Sequence, residues 1–190
     1  MVRTTNTKRV ILDLAEKMLQ DKGYNGFSYA HISSELGVKN AAVHYHFQTK
    51  EELGSAIIQR YRDRFALWVN NARVKDLPPK DKLDWFIGIY KNTRADNGKV
   101  CLLGALETEF NSIPDSLRAQ TKAMNKEMLQ WLESTLSEGR SVGVFQFNGE
   151  PSGKAALILS SLQGALQMAR ALGSQKFSEI AEQIKQDLIA

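Results

Sequence analysis

The chain has 190 residues, of which 43% are hydrophobic and 24% are charged, as in an ordinary globular protein. Its apolar runs are too short to span a membrane, its first residues lack the apolar core of a signal peptide, and its single cysteine excludes an intramolecular disulfide framework, so a cytoplasmic protein is expected. The net charge of +4 is uneven, because residues 1–75 hold 12 Lys and Arg against 7 Asp and Glu, whereas residues 76–190 hold 13 against 14.

The first two predicted helices are separated by a short loop. Apolar residues recur at helical spacing along the first of them: Val10, Ile11, Leu14, Ala15, Met18 and Leu19. Gly23 ends this helix, and Ser28 is predicted to cap the N-terminus of the second. The second helix carries Ile32 and Leu36 on one face, and Gly37 ends it after about two turns.

A third short helix is predicted over residues 39–46, with Val43 and Phe47 on its inner face. Thr49 and Glu52 have the spacing of a capping box, which opens a long fourth helix. Two short helices joined by a tight glycine-containing turn are typical of a DNA-binding helix-turn-helix, although a structural helical hairpin has the same pattern. The basic excess in this part of the chain favours a polyanionic partner.

The rest of the chain also has helical patterns, separated by Gly and Pro breakers. The predicted helices run from Pro79 to the turn at residues 96–98, and then over about 99–110, 111–138, 152–172 and 175–189. Gly139 is predicted to end the helix over 111–138, and a loop is predicted over 143–151. No series of strands is predicted. The expected fold is all-α with about nine helices.

The helix over 152–172 has an apolar stripe that predicts a helix–helix interface. Its members are Ala155, Ile158, Leu159, Leu162, Ala165, Leu166, Ala169 and Leu172. Together with the last helix, this stripe fits a four-helix bundle formed with a second copy of the chain. Packing within one copy would use the same stripe.

The helix-turn-helix segment also carries a family signature. Residues 23–38 read Gly-Tyr-x-x-Phe-Ser-x-x-x-Ile-x-x-x-Leu-Gly-Val, and residues 43–53 read Val-His-Tyr-His-Phe-x-Thr-Lys-Glu-Glu-Leu. The pattern, over about residues 7–60, resembles the signature of TetR-type repressors. The resemblance implies a three-helix DNA-binding domain over residues 1–66 and a larger ligand-binding and dimerisation domain over residues 67–190.

The same resemblance implies roles for residues of the helix-turn-helix. In such repressors the third helix lies in the major groove, and the N-termini of the second and fourth helices clamp phosphates. Ser28 and Tyr29 would then touch the DNA backbone, Tyr45 and His46 would lie at or near phosphates, and Lys50 would reach a phosphate. The residues implied to face base edges lie at the start of the third helix: Lys39, Asn40, Ala41 and Ala42.

Two residues of the third helix depart from the family pattern. Lys39 stands where a small capping hydroxyl is frequent, and His44 stands where a Tyr is common. His44 would make operator affinity pH-dependent or change the operator specificity. His44 and His46 are not expected to bind a metal, because residues two apart on a helix face different directions and no further ligand joins them.

The middle helices are the implied location of an apolar effector pocket. Six aromatic residues are candidates for its lining, with ordinary core packing as the alternative for each: Trp68, Trp85, Phe86, Tyr90, Phe110 and Trp131. Cys101 follows Lys99 at the start of an apolar helix, where a cation and a helix N-terminus favour the reactive thiolate. Residues 98–104 and 148–151 resemble the subgroup of these repressors that responds to N-ethylmaleimide and other electrophiles. A small buried thiol is the alternative.

These features predict a homodimeric repressor that a small-molecule effector, or an electrophile at or near Cys101, releases from a palindromic operator. The alternatives are a non-covalent ligand with a structural Cys101, or an interaction module without DNA binding. The expected partners are operator DNA, an effector and a second copy, and not a membrane. No nucleophile–base pair, phosphate loop or metal-ligand cluster in the sequence supports an enzyme, and no cofactor is expected.

Overall fold

The computed structural model describes the backbone of residues 2–95 and 99–188, and the side chains of residues 7–93 and 99–188. Within these ranges the chain forms ten helices and no strand: α1 (Val2–Lys22), α2 (Tyr29–Leu36), α3 (Asn40–His46), α4 (Lys50–Val69), α5 (Ala72–Lys75), α6 (Pro79–Ala95), α7 (Leu102–Thr108), α8 (Asp115–Ser141), α9 (Pro151–Leu172) and α10 (Gln175–Gln186). The predicted all-α fold is confirmed. The short α5 was not predicted, and the turn predicted at residues 96–98 lies outside the described residues.

The ends of the first two helices follow from local backbone chemistry. Gly23 has a φ of 82°, a left-handed conformation that favours glycine, and its N–H donates to the Leu19 carbonyl at 2.9 Å. Gly37 has a φ of 64° and ends α2 in the same way. Both helix ends lie where the glycines predicted them.

The helices group into two compact units. The N-terminal unit contains the residues up to Phe65 together with Leu102–Ala123, and the C-terminal unit contains Ala66–Cys101 together with the residues from Met124 onward. Thus α7 and the start of α8 pack with the helix-turn-helix, with α7 against α1. The division into functional domains of residues 1–66 and 67–190 stays a prediction.

The C-terminal unit is organised around α9, which packs against α6 and α10. An ion pair of 2.5 Å between Lys185 and Asp84 and another of 2.7 Å between Lys82 and Glu138 join helices at its surface. Gly139, predicted to end a helix, instead lies inside α8. A Cβ at this position would be 2.0 Å from the Phe145 ring, so Gly139 leaves room for that buried ring.

None of the helices in the described parts of the chain is long and apolar enough to cross a membrane.

Candidate nucleic-acid interface

The turn between α2 and α3 is fixed by short-range hydrogen bonds. The Val38 N–H donates to the Ser33 carbonyl at 3.0 Å. The Ser33 hydroxyl donates to Oδ1 of Asn40 at 2.5 Å, which ties the first residue of α3 to α2. Asn40, predicted to face base edges, therefore has its carboxamide oxygen engaged within the turn.

The inner face of α3 is anchored by two apolar side chains and by Tyr29. Val43 and Phe47 are buried, as their spacing predicts. The Tyr29 hydroxyl donates to the Phe47 carbonyl at 2.9 Å, and its ring lies edge-on to His44 with centroids 4.6 Å apart. Burial, with the negative charge of Glu52, raises the pKa of Tyr29 to about 12. Tyr29 is thus a buried strut between α2 and α3, and its hydroxyl is not presented to a phosphate.

The outer face of α3 is open to solvent. Lys39 occupies the N-cap position of α3, and its side chain makes no hydrogen bond to the first turn of the helix. Ala41 and His44 are exposed, and Tyr45 is 76% exposed. Ala42 and His46 are half-buried, and the His46 ring lies edge-on to Tyr45. Nδ1 of His44 is 3.3 Å from the Gln48 carbonyl oxygen, a contact that requires the hydrogen on Nδ1.

The start of α4 has one of the two hydrogen bonds of the predicted capping box and a variant of the other. The Glu52 N–H donates to the Thr49 hydroxyl at 3.0 Å. The Glu52 carboxylate accepts from the Gln48 N–H at 2.8 Å, one residue earlier than in the usual reciprocal pair. These two bonds satisfy backbone donors at the helix N-terminus and define where α4 begins.

Lys50 has a different environment from the one predicted. Its Nζ donates to the Phe27 carbonyl at 2.6 Å and lies 4.6 Å and 4.7 Å from the ring centroids of Tyr24 and Phe27. Burial lowers its pKa, and the negative charge of Glu109 acts in the opposite direction. Lys50 is half-buried and holds the loop before α2, so the cation implied to reach a phosphate is engaged inside the protein.

The sequence reasoning missed His31 at the N-terminus of α2. The Ser28 N–H donates to Nδ1 of His31 at 3.1 Å, so the imidazole takes the place that Glu or Gln has in a capping box. Ser28 itself is exposed, with an extended backbone. Spacing was the available signal, because Ser28 and His31 are three residues apart, but His is not one of the usual residues at that position.

Four of the six predicted aromatic pocket residues lie together in the C-terminal unit. We call Trp68, Phe86, Tyr90 and Trp131 the aromatic cluster. The Trp68 and Trp131 ring centroids are 4.7 Å apart, those of Phe86 and Trp131 are 5.4 Å apart, and those of Phe86 and Tyr90 are 5.6 Å apart. Phe86 and Tyr90 are fully buried, whereas Trp68 and Trp131 are half-buried. The cluster combines a hydrophobic core with two partly accessible indoles.

The other two aromatic candidates lie elsewhere. Trp85 is 54% exposed and lines an open groove of about 430 Å³ together with Trp68, Asp84 and Ile89. Phe110 belongs to the N-terminal unit, where Nζ of Lys122 lies 5.3 Å from its ring centroid.

Cys101 is buried, with only 3% of its surface exposed, and directly precedes α7. Burial restricts the access of reagents to the thiol, so this placement supports a structural Cys101 more than a sensing one. No group of three or more His, Cys, Asp or Glu suited to a metal ion occurs among the residues that the structure describes.

The stripe predicted for dimerisation faces the interior of the C-terminal unit. Seven of its eight members are buried, and Leu172 is 66% exposed. A different stripe faces solvent, and we call it the outer stripe of α9: Leu157, Ser161, Gly164, Met168 and Leu172. Leu157 is 58% exposed and Met168 is 42% exposed, while a Cβ at Gly164 would meet nothing within 4 Å.

A helix-turn-helix with an exposed second helix, in a chain that also has a second, larger helical unit, defines a class of DNA-binding regulators. A family model described as "Bacterial regulatory proteins, tetR family" matches residues 11–57, and one described as "Tetracyclin repressor-like, C-terminal domain" matches residues 79–184. The chain belongs to the tetR family of bacterial regulatory proteins and is a DNA-binding transcriptional regulator, as the signature predicted. Regulators of this family bind operator DNA and small-molecule effectors and act as dimers.

Individual relatives agree over nearly the whole chain. A TetR-family regulator from Agrobacterium tumefaciens has a TM-score of 0.90 and 27% identity, covering 98% of this chain and 100% of that chain. A TetR regulator from Legionella pneumophila has a TM-score of 0.82 and 31% identity, covering 94% and 95%. The HTH-type transcriptional repressor DhaR of Mycobacterium sp. (strain GP1) is 20% identical over 164 residues, which are 85% of this chain and 81% of DhaR.

The reduced form of E. coli NemR has a TM-score of 0.74 and 19% identity, covering 97% of each chain. A likeness at this identity shows the shared fold alone. The comparisons do not resolve the electrophile-responsive subgroup, which stays a prediction.

Proposed function

We propose that the protein is a homodimeric repressor that binds a palindromic operator through α3 and is released by a small-molecule effector. The observation that carries the proposal is the outer face of α3, where Lys39, His44 and Tyr45 are exposed on a helix whose inner face is fixed by buried anchors. A short helix held in this way can enter a major groove as a rigid element.

The side chains of α3 divide by chemistry into two groups. Lys39 and the carboxamide nitrogen of Asn40 are donors for base edges, and Ala41 and Ala42 offer methyl groups that can contact thymine. Tyr45 and His46 extend toward the sugar-phosphate backbone, together with the amides at the exposed N-terminus of α2 beside Ser28. We leave Lys50 out of the contact set because its ammonium group is engaged by the Phe27 carbonyl.

The dimer interface is assigned to the outer stripe of α9 in place of the buried stripe that the sequence suggested. Leu157, Gly164 and Met168 recur at spacings of seven and four, so they share one helix face. Gly164 in the middle permits close approach of a second helix, and the exposed Leu157 and Met168 offer apolar area on both sides of it. A two-fold axis on this face would present two α3 helices to a palindrome.

The effector site is assigned to the C-terminal unit beside the aromatic cluster. The half-buried Trp68 belongs both to the cluster and to the open groove, whose outer wall is Trp85. This lining fits an apolar ligand with one flat face. The effector releases DNA only if it binds the DNA-incompetent state more tightly than the competent one. Modification of Cys101 is the covalent alternative, and its 3% exposure makes it the less favoured route.

The first experiment selects duplexes from a random library with the wild-type protein and then measures binding to the recovered sequence by fluorescence anisotropy. We expect the selected duplex to contain an inverted repeat. We also expect its association constant to fall steeply as the salt concentration rises, because phosphate contacts release counterions. Lys39→Glu should weaken binding, with Lys126→Glu on α8 as a charge-matched control. If no duplex is enriched, or if both variants bind equally, α3 is not the recognition helix.

The covalent and non-covalent routes of release are separated by treatment with N-ethylmaleimide. If Cys101 is the sensor, alkylation releases wild-type protein from the selected duplex and leaves Cys101→Ser bound. If the effector is non-covalent, alkylation releases neither. Ligands are then screened by tryptophan fluorescence, which reports on the C-terminal unit because Trp68, Trp85 and Trp131 all lie there.

We further propose that the protein acts in the bacterial cytoplasm and catalyses no reaction. The support for both is that its relatives are transcriptional regulators.

A further inference from the structure

The corner between α7 and α8 makes an unusual contact with the loop that follows α1. Glu109, one residue after α7, directs its carboxylate at two backbone donors of this loop. The Tyr24 N–H donates to Oε2 at 2.5 Å, and the Asn25 N–H donates to the same oxygen at 3.2 Å and to Oε1 at 3.3 Å. Hydrogen bonds to an ionised acceptor are about twice as strong as neutral ones, so this carboxylate is a strong link between remote segments.

Gly23 makes room for this carboxylate. A Cβ at that position would lie 2.8 Å from Oε1 of Glu109 and 2.9 Å from its carboxyl carbon. A side chain at position 23 would therefore displace the carboxylate from its present position. A side-chain bond reinforces the contact, since Nδ2 of Asn25 donates to the Ser112 hydroxyl at 2.9 Å.

The loop held by Glu109 leads directly to both helix starts of the DNA-binding surface. Its far end is Phe27, whose carbonyl accepts the 2.6 Å hydrogen bond from Lys50 at the start of α4. Ser28, the cap of α2, is the next residue. The negative charge of Glu109 also stabilises the charged form of Lys50, because it raises the pKa that burial lowers. One carboxylate therefore acts on the loop before α2 and on the first residue of α4.

Packing beside this contact joins α4 to the start of α8. A Cβ at Gly54 would be 2.8 Å from a methyl group of Leu117 and 2.9 Å from the Tyr24 ring. Nε2 of Gln120 donates to the Ser55 hydroxyl at 3.0 Å, and the Ser116 hydroxyl bonds the Glu51 carboxylate. The α7–α8 corner thus packs closely against α4, so a shift of Glu109 relative to the loop would also disturb these contacts.

We propose that Glu109 is a positioning residue for operator binding: its carboxylate sets the loop that places the N-termini of α2 and α4 for DNA. The inference rests on the proposed operator binding through the helix-turn-helix. The α7–α8 corner, which itself touches no DNA, then controls how tightly the protein binds the operator. Lys50 is then an internal partner of that corner.

The test compares Glu109→Gln with Glu133→Gln, a variant on α8 in the C-terminal unit that removes the same charge. Each variant raises the net charge by one, which by itself strengthens binding to any duplex. The proposal predicts the opposite for Glu109→Gln, a loss of about tenfold in affinity for the selected duplex, the order expected for a charged hydrogen bond. Affinity for a shuffled duplex should not fall. Amide hydrogen exchange at Tyr24 and Asn25 should accelerate by about tenfold in the same variant.

The outcomes separate this inference from the proposed function. If wild-type protein enriches no duplex, the proposed function fails before Glu109 is tested. If wild-type protein binds and Glu109→Gln binds as tightly as Glu133→Gln, the positioning role is wrong. Should Glu109→Gln lose its helical circular dichroism, Glu109→Asp takes its place, since it keeps the charge but withdraws the carboxylate from the loop amides. Equal operator affinity in Glu109→Asp and wild type would also overturn the proposal.

Discussion

The helix-turn-helix and the α9–α10 pair are both helical, yet they are held in different ways. In the helix-turn-helix, polar side chains near the helix ends bond backbone groups a few residues away, as Glu52 does with the Gln48 N–H and His31 with the Ser28 N–H. In α9 the packing is apolar, and one of its two partners, α6, is separated from it in the chain by α7 and α8. The first arrangement is local and the second is not.

This difference determines which structural features can be predicted from the spacing of residues in the sequence and which cannot. A capping box is specified by two residues three apart, so it can be recognised without knowing the rest of the fold. An apolar stripe shows only that one face of a helix is buried. Whether a neighbour in the same copy or a second copy covers that face depends on remote helices.

The largest expected effect comes from placing a charge in the outer stripe of α9. Gly164→Glu adds a side chain where nothing lies within 4 Å in one copy, and glutamate is a better helix former than glycine, so the fold of a single copy is preserved. In a dimer the charge would be buried against the second helix. We expect dissociation in sedimentation velocity and a loss of about a hundredfold or more in operator affinity, because the two half-sites are no longer linked.

The matched control is Ala156→Glu, at an exposed position outside the stripe on the same helix. It should remain dimeric and bind DNA as the wild type does. A dimeric Gly164→Glu would show that the two copies meet on a different face.

The second effect tests whether Lys50 serves the fold or the DNA. Lys50→Met removes the charged hydrogen bond to the Phe27 carbonyl and the cation–π contacts with Tyr24 and Phe27. We expect the free energy of unfolding to fall by about 2 kcal/mol, which denaturant titration measures. Lys39→Met, at the exposed cap of α3, should leave that free energy within about 0.5 kcal/mol of wild type.

Much of the fold and part of the site could be predicted from the sequence, for physical reasons that differ by region. The helix ends at Gly23 and Gly37 and the cap at Thr49 are local, and their predictions hold. The predicted helix over 111–138 ended three residues before α8 does, because Gly139 makes room for the Phe145 ring and does not end the helix, and this tertiary contact is not visible in the local sequence. For Tyr29 and Lys50 the family signature implied contacts with the DNA backbone, and in the structure these side chains donate to the Phe47 and Phe27 carbonyls inside the N-terminal unit, which are contacts that no local pattern predicts.

A smaller effect is expected at Lys39, and it sharpens the contrast with Lys50. Lys39→Ala removes an exposed cation from the start of α3, so operator affinity should fall by about tenfold while thermal stability is unchanged. If the ammonium group neutralises a phosphate, the slope of log binding constant against log salt should decrease by about 1. An unchanged slope with relaxed preference at one base pair would indicate a base contact. Anisotropy titrations at several salt concentrations distinguish these results, and unchanged affinity would remove Lys39 from the interface.

The smallest effect concerns Tyr29, the buried strut between α2 and α3. At neutral pH, Tyr29→Phe loses the hydrogen bond to the Phe47 carbonyl, and the free energy of unfolding should fall by about 1 kcal/mol. The folded pKa of about 12 lies above the ordinary value of 10.0, so the folded state favours the protonated phenol. The resulting stabilisation is complete below pH 10 and is lost as the pH rises toward 12. The stability difference between wild type and Tyr29→Phe should therefore shrink across this alkaline range. A difference independent of pH in denaturant titrations would mean that the phenol ionises as easily in the folded protein as in the unfolded chain, and that Tyr29 is not buried as a strut.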